Sequence, residues 1–250
     1  MAKFGIIGGT GFYRLEGLPI VREEDVTNKY GTARVSIAEY KGSEIAFVPR
    51  HGVSHSLPPH IVNYRANIKA MKDLGVEYIM STAAVGSLHM LLPPGELVLL
   101  SQFIDWTRRR IGTFFDEEDP NFRHVDVTEP FSGFLREKIL KAAKARDIHI
   151  HPYGTYVSAE GPRFETPAEI SMMRLVGGDV VGMTIVPEVV LANEADINYA
   201  TVTVTTNYGA GMLPGKVRHE EVGEIFAEAK GRLERLFMAT LDILVEGQLT

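Results

Sequence analysis

The side chains most suited to chemistry on a charged ligand stand at the ends of short apolar runs. Arg50 and His51 follow the run Glu44–Val48 through Pro49. A guanidinium beside an imidazole suits a multiply charged oxyanion, with bidentate contact from Arg50 and a second donor from His51. His55 and His60 follow in the same loop. A metal needs convergent ligands, and this His-x3-His lies in a Pro/Gly-rich stretch and not along a helix face, so no metal site is expected. A second cluster spans Gly154 to Glu188 and contains Glu160, Arg163, Phe164, Glu165, Met183, Thr184 and Glu188. Thr10 lies in Gly8-Gly9-Thr10-Gly11, which reads as an anion cradle, as a tight turn, or as a dinucleotide loop. The last reading fits worst, because glycines at 5, 8, 9 and 11 miss the G-x-G-x-x-G spacing. Ala83 and Ala84, within Ser-Thr-Ala-Ala-Val-Gly-Ser, either pack closely or leave backbone amides open to a ligand. Asn207-Tyr208-Gly209 ends another run.

These residues need strands and helices to hold them. Phe4–Ile7 reads as a buried strand, and Arg34–Glu39 with Glu44–Val48 as a hairpin turning at Lys41-Gly42. Helical spacing covers 63–74, 131–146 and 219–245, while 76–80, 96–100, 179–183 and 197–206 read as strands. Thr166-Pro167-Ala168-Glu169 has the form of a capping box, and Pro187 is expected to open a further helix. Strands alternating with helices predict an α/β fold with a mainly parallel sheet covered on both faces. Residues 105–130 are irregular, with Arg108-Arg109-Arg110 close to Asp116-Glu117-Glu118-Asp119; a lid-like or solvated loop is expected, in preference to an RNA-binding patch.

The totals limit the function classes. With 250 residues, 45% hydrophobic and 23% charged, the chain can bury a large core. A net charge of −6 argues against general nucleic-acid binding, and no apolar run is long enough for a membrane span. Zero cysteines exclude disulfides and thiolate catalysis and agree with a cytoplasmic location. There is no G-x-S-x-G elbow, P-loop or H-E-x-x-H. An enzyme whose nucleophile is itself a bound anion needs none of these; the protein then supplies positioning and electrostatics.

GIIGGTG, PRHG, NYRANI, GTYVSAEGPRFETPAE, GMTIVPEVVLA and TNYGAG together closely resemble the trimeric purine nucleoside phosphorylase and methylthioadenosine phosphorylase family, over essentially the whole chain. The resemblance implies a single α/β domain over 1–250, built on a mixed central sheet or barrel flanked by helices. It implies reversible phosphorolysis of a purine nucleoside, with inorganic phosphate as co-substrate, no cofactor or metal, and a homotrimer or homohexamer. By motif, phosphate falls to Thr10, Arg50, His51, Ala83, Ala84 and Thr184. Met183 goes to the sugar, Phe164 to base or ribose, and Asn207, Glu165 and His51 to catalysis, with Tyr208, Gly209, His219 and His124 completing the substrate set. In the family's methylthio branch the residue matching His124 comes from a neighbouring subunit.

The two branches of the family differ at the base. Methylthioadenosine phosphorylases carry aspartates in the segment matching 206–209 and a small polar residue at 165, whereas this chain has Asn207, Gly209 and Glu165. A carboxylate accepts from the N1–H of hypoxanthine or guanine, and an amide donates to O6, so a 6-oxopurine is expected. His219 reads either as a ligand of the sugar 5′ group or as a helix-start residue without ligand contact. Three functions stay open: a phosphorylase of inosine, guanosine or methylthioinosine; a methylthioadenosine phosphorylase; and a non-catalytic nucleoside-binding protein.

Overall fold

Alternate residues of the central strands feed two apolar layers. In β1 (Phe4–Gly8) Ile7 joins one core while Phe4 and Ile6 join the other. Both sides of such a strand must be covered, and helices do so. The computed structural model describes residues 2–53 and 56–247. The first core packs α1 (Tyr64–Asp73) and α4 (Ile185–Glu194), the second α2 (Gly133–Ala145) and α5 (His219–Glu246). His55 lies outside the described residues. Among the described residues no helix is long and apolar enough to cross a membrane.

Among the described residues the sheet has ten strands and is mixed, where periodicity alone predicts a mainly parallel one. β2 (Ile20–Asn28), β3 (Gly31–Tyr40) and β4 (Ser43–Pro49) form an antiparallel flap, and β4 runs parallel to β1. β1 pairs in parallel with β5 (Tyr78–Ser87), whose other edge lies parallel to β10 (Asn198–Tyr208) along almost its whole length. β10 pairs antiparallel with β6 (Leu97–Leu99), and the chain runs on from there into β7 (Gln102–Asp105). β7 pairs with β8 (Thr155–Ser158), β8 with β9 (Val180–Gly182), and β9 antiparallel with the end of β5. The ring β5, β10, β6–β7, β8, β9 therefore closes on itself, which is the barrel that the resemblance implies.

Local signals hold where they are strongest. The β3–β4 turn has positive φ at both Lys41 (49°) and Gly42 (78°), as a two-residue hairpin of right-handed twist requires. Ser132 and Asn63 cap α2 and α1. Thr166 Oγ1 accepts from the Glu169 amide while the Glu169 carboxylate accepts from the Thr166 amide, so the capping box is complete and starts α3 (Pro167–Leu175). Arg163 adds a bidentate contact to the same carboxylate at 2.7 and 2.8 Å.

Arg163 and the Thr166 amide hold Glu169 down at about 2, against an ordinary 4.5. Its contribution to stability is therefore full above the ordinary value and lost as pH falls towards 2. A Glu169→Gln variant flattens that part of the stability–pH curve. Thr166→Ala lowers stability by about 1 kcal/mol at neutral pH, read from urea denaturation; unchanged midpoints in both variants refute the cap.

Candidate active site

β5 loses β1 after Ser81 and gains β9 only at Gly86. Over the four residues between, one of its edges is unpaired in the sheet. Two sets of strand ends converge on that notch: β1 and β4 arrive with Thr10 and Arg50-His51, while β9 runs the opposite way and delivers Met183 and Thr184. A cavity of about 360 Å³ opens there, lined by Thr10, Arg50, His51, Ala83, Ala84, Thr184, Met183, Phe164, Glu165, Asn207 and His219. Tyr208, Gly209 and His124 do not line it. Successive side chains of a strand point to opposite faces, so Tyr208 turns away from Asn207, its hydroxyl 3.4 Å from the Met90 carbonyl. Gly209 is buried with Ile170 beside it. His124 lines a separate groove with Arg123, Asp126 and Asp196.

The expected bidentate contact of Arg50 with an external anion is corrected. Arg50 is buried, and its fork is occupied from within: Nε and Nη2 each donate to Glu188 at 2.7 Å. Nη2 also reaches Ser81 Oγ at 2.7 Å, and Nη1 donates to the Thr82 carbonyl at 2.8 Å. Burial opposes the charge, but Glu188 outweighs it and holds the guanidinium above its ordinary value. One of its five N–H groups remains for a ligand, on Nη1. Gly9 is required here, because a Cβ would stand 2.8 Å from both Arg50 Nη1 and the Thr82 carbonyl.

The other residues expected at the anion end are neutral dipoles. In β5 the even-numbered residues face the notch edge, as the Tyr78 amide to Lys3, the Thr82 carbonyl to Arg50 and the Leu88 amide to Asp179 all show. Ala84 therefore turns its amide into the notch, whereas Ala83 directs its own towards β10. His51 Nδ1 donates to the Leu57 carbonyl at 2.8 Å, so the neutral ring carries its one hydrogen there and lacks the second donor expected for an anion. The buried Tyr156 hydroxyl accepts from the Thr184 amide at 2.9 Å and so seats Thr184 at the entrance to α4.

The opposite side of the cavity is built for hydrogen bonding of another kind. Glu165 Oε1 is buried without a partner, and burial, helped by Glu169, pushes the carboxyl above its ordinary value. Asn207 is oriented by two neighbours: Oδ1 accepts from Thr206 Oγ1 at 3.1 Å, and Nδ2 donates to the Tyr208 carbonyl at 2.9 Å. One amide hydrogen of Asn207 is left for the cavity. Phe164 supplies an aromatic wall, and Pro58, Pro59 and Val222 an apolar one beside His219.

Residues 105–124 do not line this cavity. The loop is tied down elsewhere. Arg110, expected in solvent, has a side chain 2% exposed and donates to the carbonyls of Met183, Val186, Ala159 and Glu160. It thereby clamps the β8 exit to the β9–α4 turn. Thr113 and the Phe114 amide bind Glu194, and Arg123 binds Asp196. Nothing in an Arg-Arg-Arg run marks its third member as buried. Ser81 and Tyr199 complete the shell around Glu188 at 3.2 and 2.6 Å; their strands carry several other polar residues, so nothing in the sequence singles them out.

Breaking a buried ion pair on one side only leaves an uncompensated charge. Glu188→Ala accordingly loses about 3–5 kcal/mol of stability in chemical denaturation, and Arg50→Met with Glu188→Leu recovers most of it. If the double variant is as unstable as the single one, the charge pairing does not carry the effect.

Comparison with known proteins agrees with this geometry. The family model described as "Phosphorylase superfamily" matches residues 3–242. A relative from Thermococcus kodakarensis, named probable 6-oxopurine nucleoside phosphorylase, is 48% identical over 98% of this chain and 93% of its own. A Methanopyrus kandleri relative, named probable S-methyl-5′-thioinosine phosphorylase, is 45% identical over 98% and 93%. The solved methylthioadenosine phosphorylase of Schistosoma mansoni in complex with adenine superposes with a TM-score of 0.93, at 32% identity over 98% of this chain and 93% of that one. A model spanning nearly the whole length, and relatives this similar from end to end, leave one conclusion: the chain belongs to the phosphorylase superfamily.

Proposed function

We propose that this protein is a pentosyltransferase that cleaves 6-oxopurine nucleosides with phosphate, releasing the base and a ribose 1-phosphate. The observation that carries the reading is the partnerless buried Oε1 of Glu165, in a cavity that it shares with Asn207. As a carboxylate it accepts the N1–H of hypoxanthine or guanine. The remaining Asn207 amide hydrogen reaches the O6/N7 edge, where negative charge grows as the base departs, so this bond strengthens in the transition state. Adenine has no N1–H and leaves the carboxylate unpaired, at a penalty of about 1–3 kcal/mol or more.

Phosphate occupies the notch, held by Thr10, Thr184, the Ala84 amide and the last N–H of Arg50. Its oxygen attacks C1′ of the sugar as the bond to N9 lengthens, through an oxocarbenium-like state of the kind met in glycoside hydrolysis. The C1′–O bond forms, the C1′–N9 bond breaks, and the electron pair leaves with the purine. No cofactor is needed, since the nucleophile arrives as a co-substrate. Met183 packs on the sugar, with His219 and Val222 near the 5′ position; a polar and an apolar neighbour together suit both a hydroxyl and a methylthio group. His124 would act from a neighbouring copy in a homotrimer or a doubled trimer. The enzyme would serve purine salvage in the cytoplasm, as one domain over 1–250.

The test is phosphate-dependent base release from inosine, 5′-methylthioinosine and 5′-methylthioadenosine, assayed side by side. The first two should react and the third should not. Preferential cleavage of methylthioadenosine keeps the phosphate end and overturns the base end, and no cleavage of any of them leaves a nucleoside-binding protein. Asn207→Asp should raise the 6-amino to 6-oxo ratio, because a carboxylate accepts from the 6-amino group.

Acidity tests the same pocket. Glu165 is raised in the free protein, so above that value it is an acceptor for N1–H, and below it a donor to the bare N1 of adenine. Preference for 6-oxopurines should rise with pH through this transition and become flat in Glu165→Gln. A flat ratio in the parent protein removes Glu165 from base selection.

A further inference from the structure

Away from the cavity, one cluster of donor groups is not used by the reaction. Glu96 stands just before β6, and the connector leaving α2 runs beside that strand. The His151 amide donates to the Leu97 carbonyl at 2.8 Å, and the Leu99 amide to the His151 carbonyl at 2.9 Å. His149 and His151, two residues apart, thereby come to the same carboxylate. Nε2 of His151 lies 3.2 Å from Glu96 Oε2, and Nε2 of His149 lies 3.5 Å from that oxygen. The two rings stand edge to face with centroids 5.0 Å apart, and the three donor atoms all fall within 4.8 Å of one another.

Two imidazoles and a carboxylate are a ligand set for a zinc-class cation, and magnesium and calcium prefer oxygen alone. Ligands bound at about 2.0–2.2 Å in a tetrahedral shell lie about 3.3–3.5 Å from each other. Both N···O separations match such an edge. The platform is also firm: the Glu96 amide donates to Thr205 Oγ1 and the Thr205 amide to the Glu96 carbonyl, each at 3.0 Å. Glu96 and His151 are largely covered, with side chains 25% and 28% exposed, while His149 at 71% leaves the way in open and room for a water as fourth ligand.

We propose that Glu96, His149 and His151 bind one divalent transition cation, which staples the α2–β8 connector to β6. The site shares no residue with the cavity and is independent of the proposed reaction. It goes beyond the sequence expectation of no metal, because the two ends of the set lie far apart in the chain and only the β6 pairing joins them.

The experiment uses chelator-treated full-length protein titrated with Zn2+ by calorimetry and with Co2+ by visible absorption, at about pH 7.5 because binding needs deprotonated ligands. Wild type should take up one equivalent, with the intense Co2+ bands of a four-coordinate site and a raised Tm in Zn2+. Each of His149→Ala and His151→Ala should weaken binding by at least about tenfold, since even an outer-sphere partner is worth that much. His60→Ala, a histidine outside the cluster, should not. Two results overturn the proposal: no uptake by the wild-type chain, or uptake that His149→Ala and His151→Ala leave unchanged.

Discussion

The buried pair of Arg50 and Glu188 is the constraint around which the site is arranged. Two charges taken out of water demand nearly complete compensation, and here they receive it: besides its two bonds to Glu188, Arg50 donates to Ser81 Oγ and the Thr82 carbonyl, and the carboxylate accepts further from Ser81 and Tyr199. The partners come from β4, β5, α4 and β10. None of these elements can shift alone without opening a bond in a dry interior. The pair therefore fixes the relative positions of the strand ends that carry Thr10, His51, Thr184 and Asn207.

The pair also decides what kind of anion site can lie above it. A guanidinium neutralised from beneath offers an external ligand one N–H and little net charge. The rest of the notch consists of hydroxyls, an imidazole and the Ala84 amide, which are fixed dipoles. Such a site holds an oxyanion by geometry, with little dependence on long-range attraction, and that is consistent with an overall charge of −6. It also suits a reversible transfer, in which one end of the cavity must release phosphate and sugar phosphate alike.

Legibility in the sequence followed burial. The capping box at Thr166, the Lys41-Gly42 turn and the amphipathic spans of α1, α2 and α5 all depend on neighbours close in the chain, and they read correctly within a residue or two. β2 went unread because it is an exposed edge strand, Ile-Val-Arg-Glu-Glu-Asp-Val-Thr-Asn, with no apolar face to show a period. The small residues after Met80 read as a strand terminus, yet β5 continues through them to Ser87, paired with β10 throughout. Most site residues lay at the ends of readable strands. The burial of Arg110, the internal use of the Arg50 fork and the meeting of Glu96 with His149 and His151 were hidden, because each depends on partners tens of residues away.

The two ends of the cavity face the same problem with opposite solutions. At the notch, polar groups are oriented by the protein before any ligand arrives: Thr184 by Tyr156, His51 by the Leu57 carbonyl, Arg50 by Glu188. At the base end, Asn207 is oriented but Glu165 keeps an oxygen without a partner. An orphaned buried carboxyl oxygen destabilises the empty protein, and a purine carrying N1–H relieves it while one lacking N1–H does not. Selectivity then comes less from an added attraction than from a defect that only the matching base removes. Under the proposed function, a site built on so few side chains would thereby distinguish two bases that differ at a single edge.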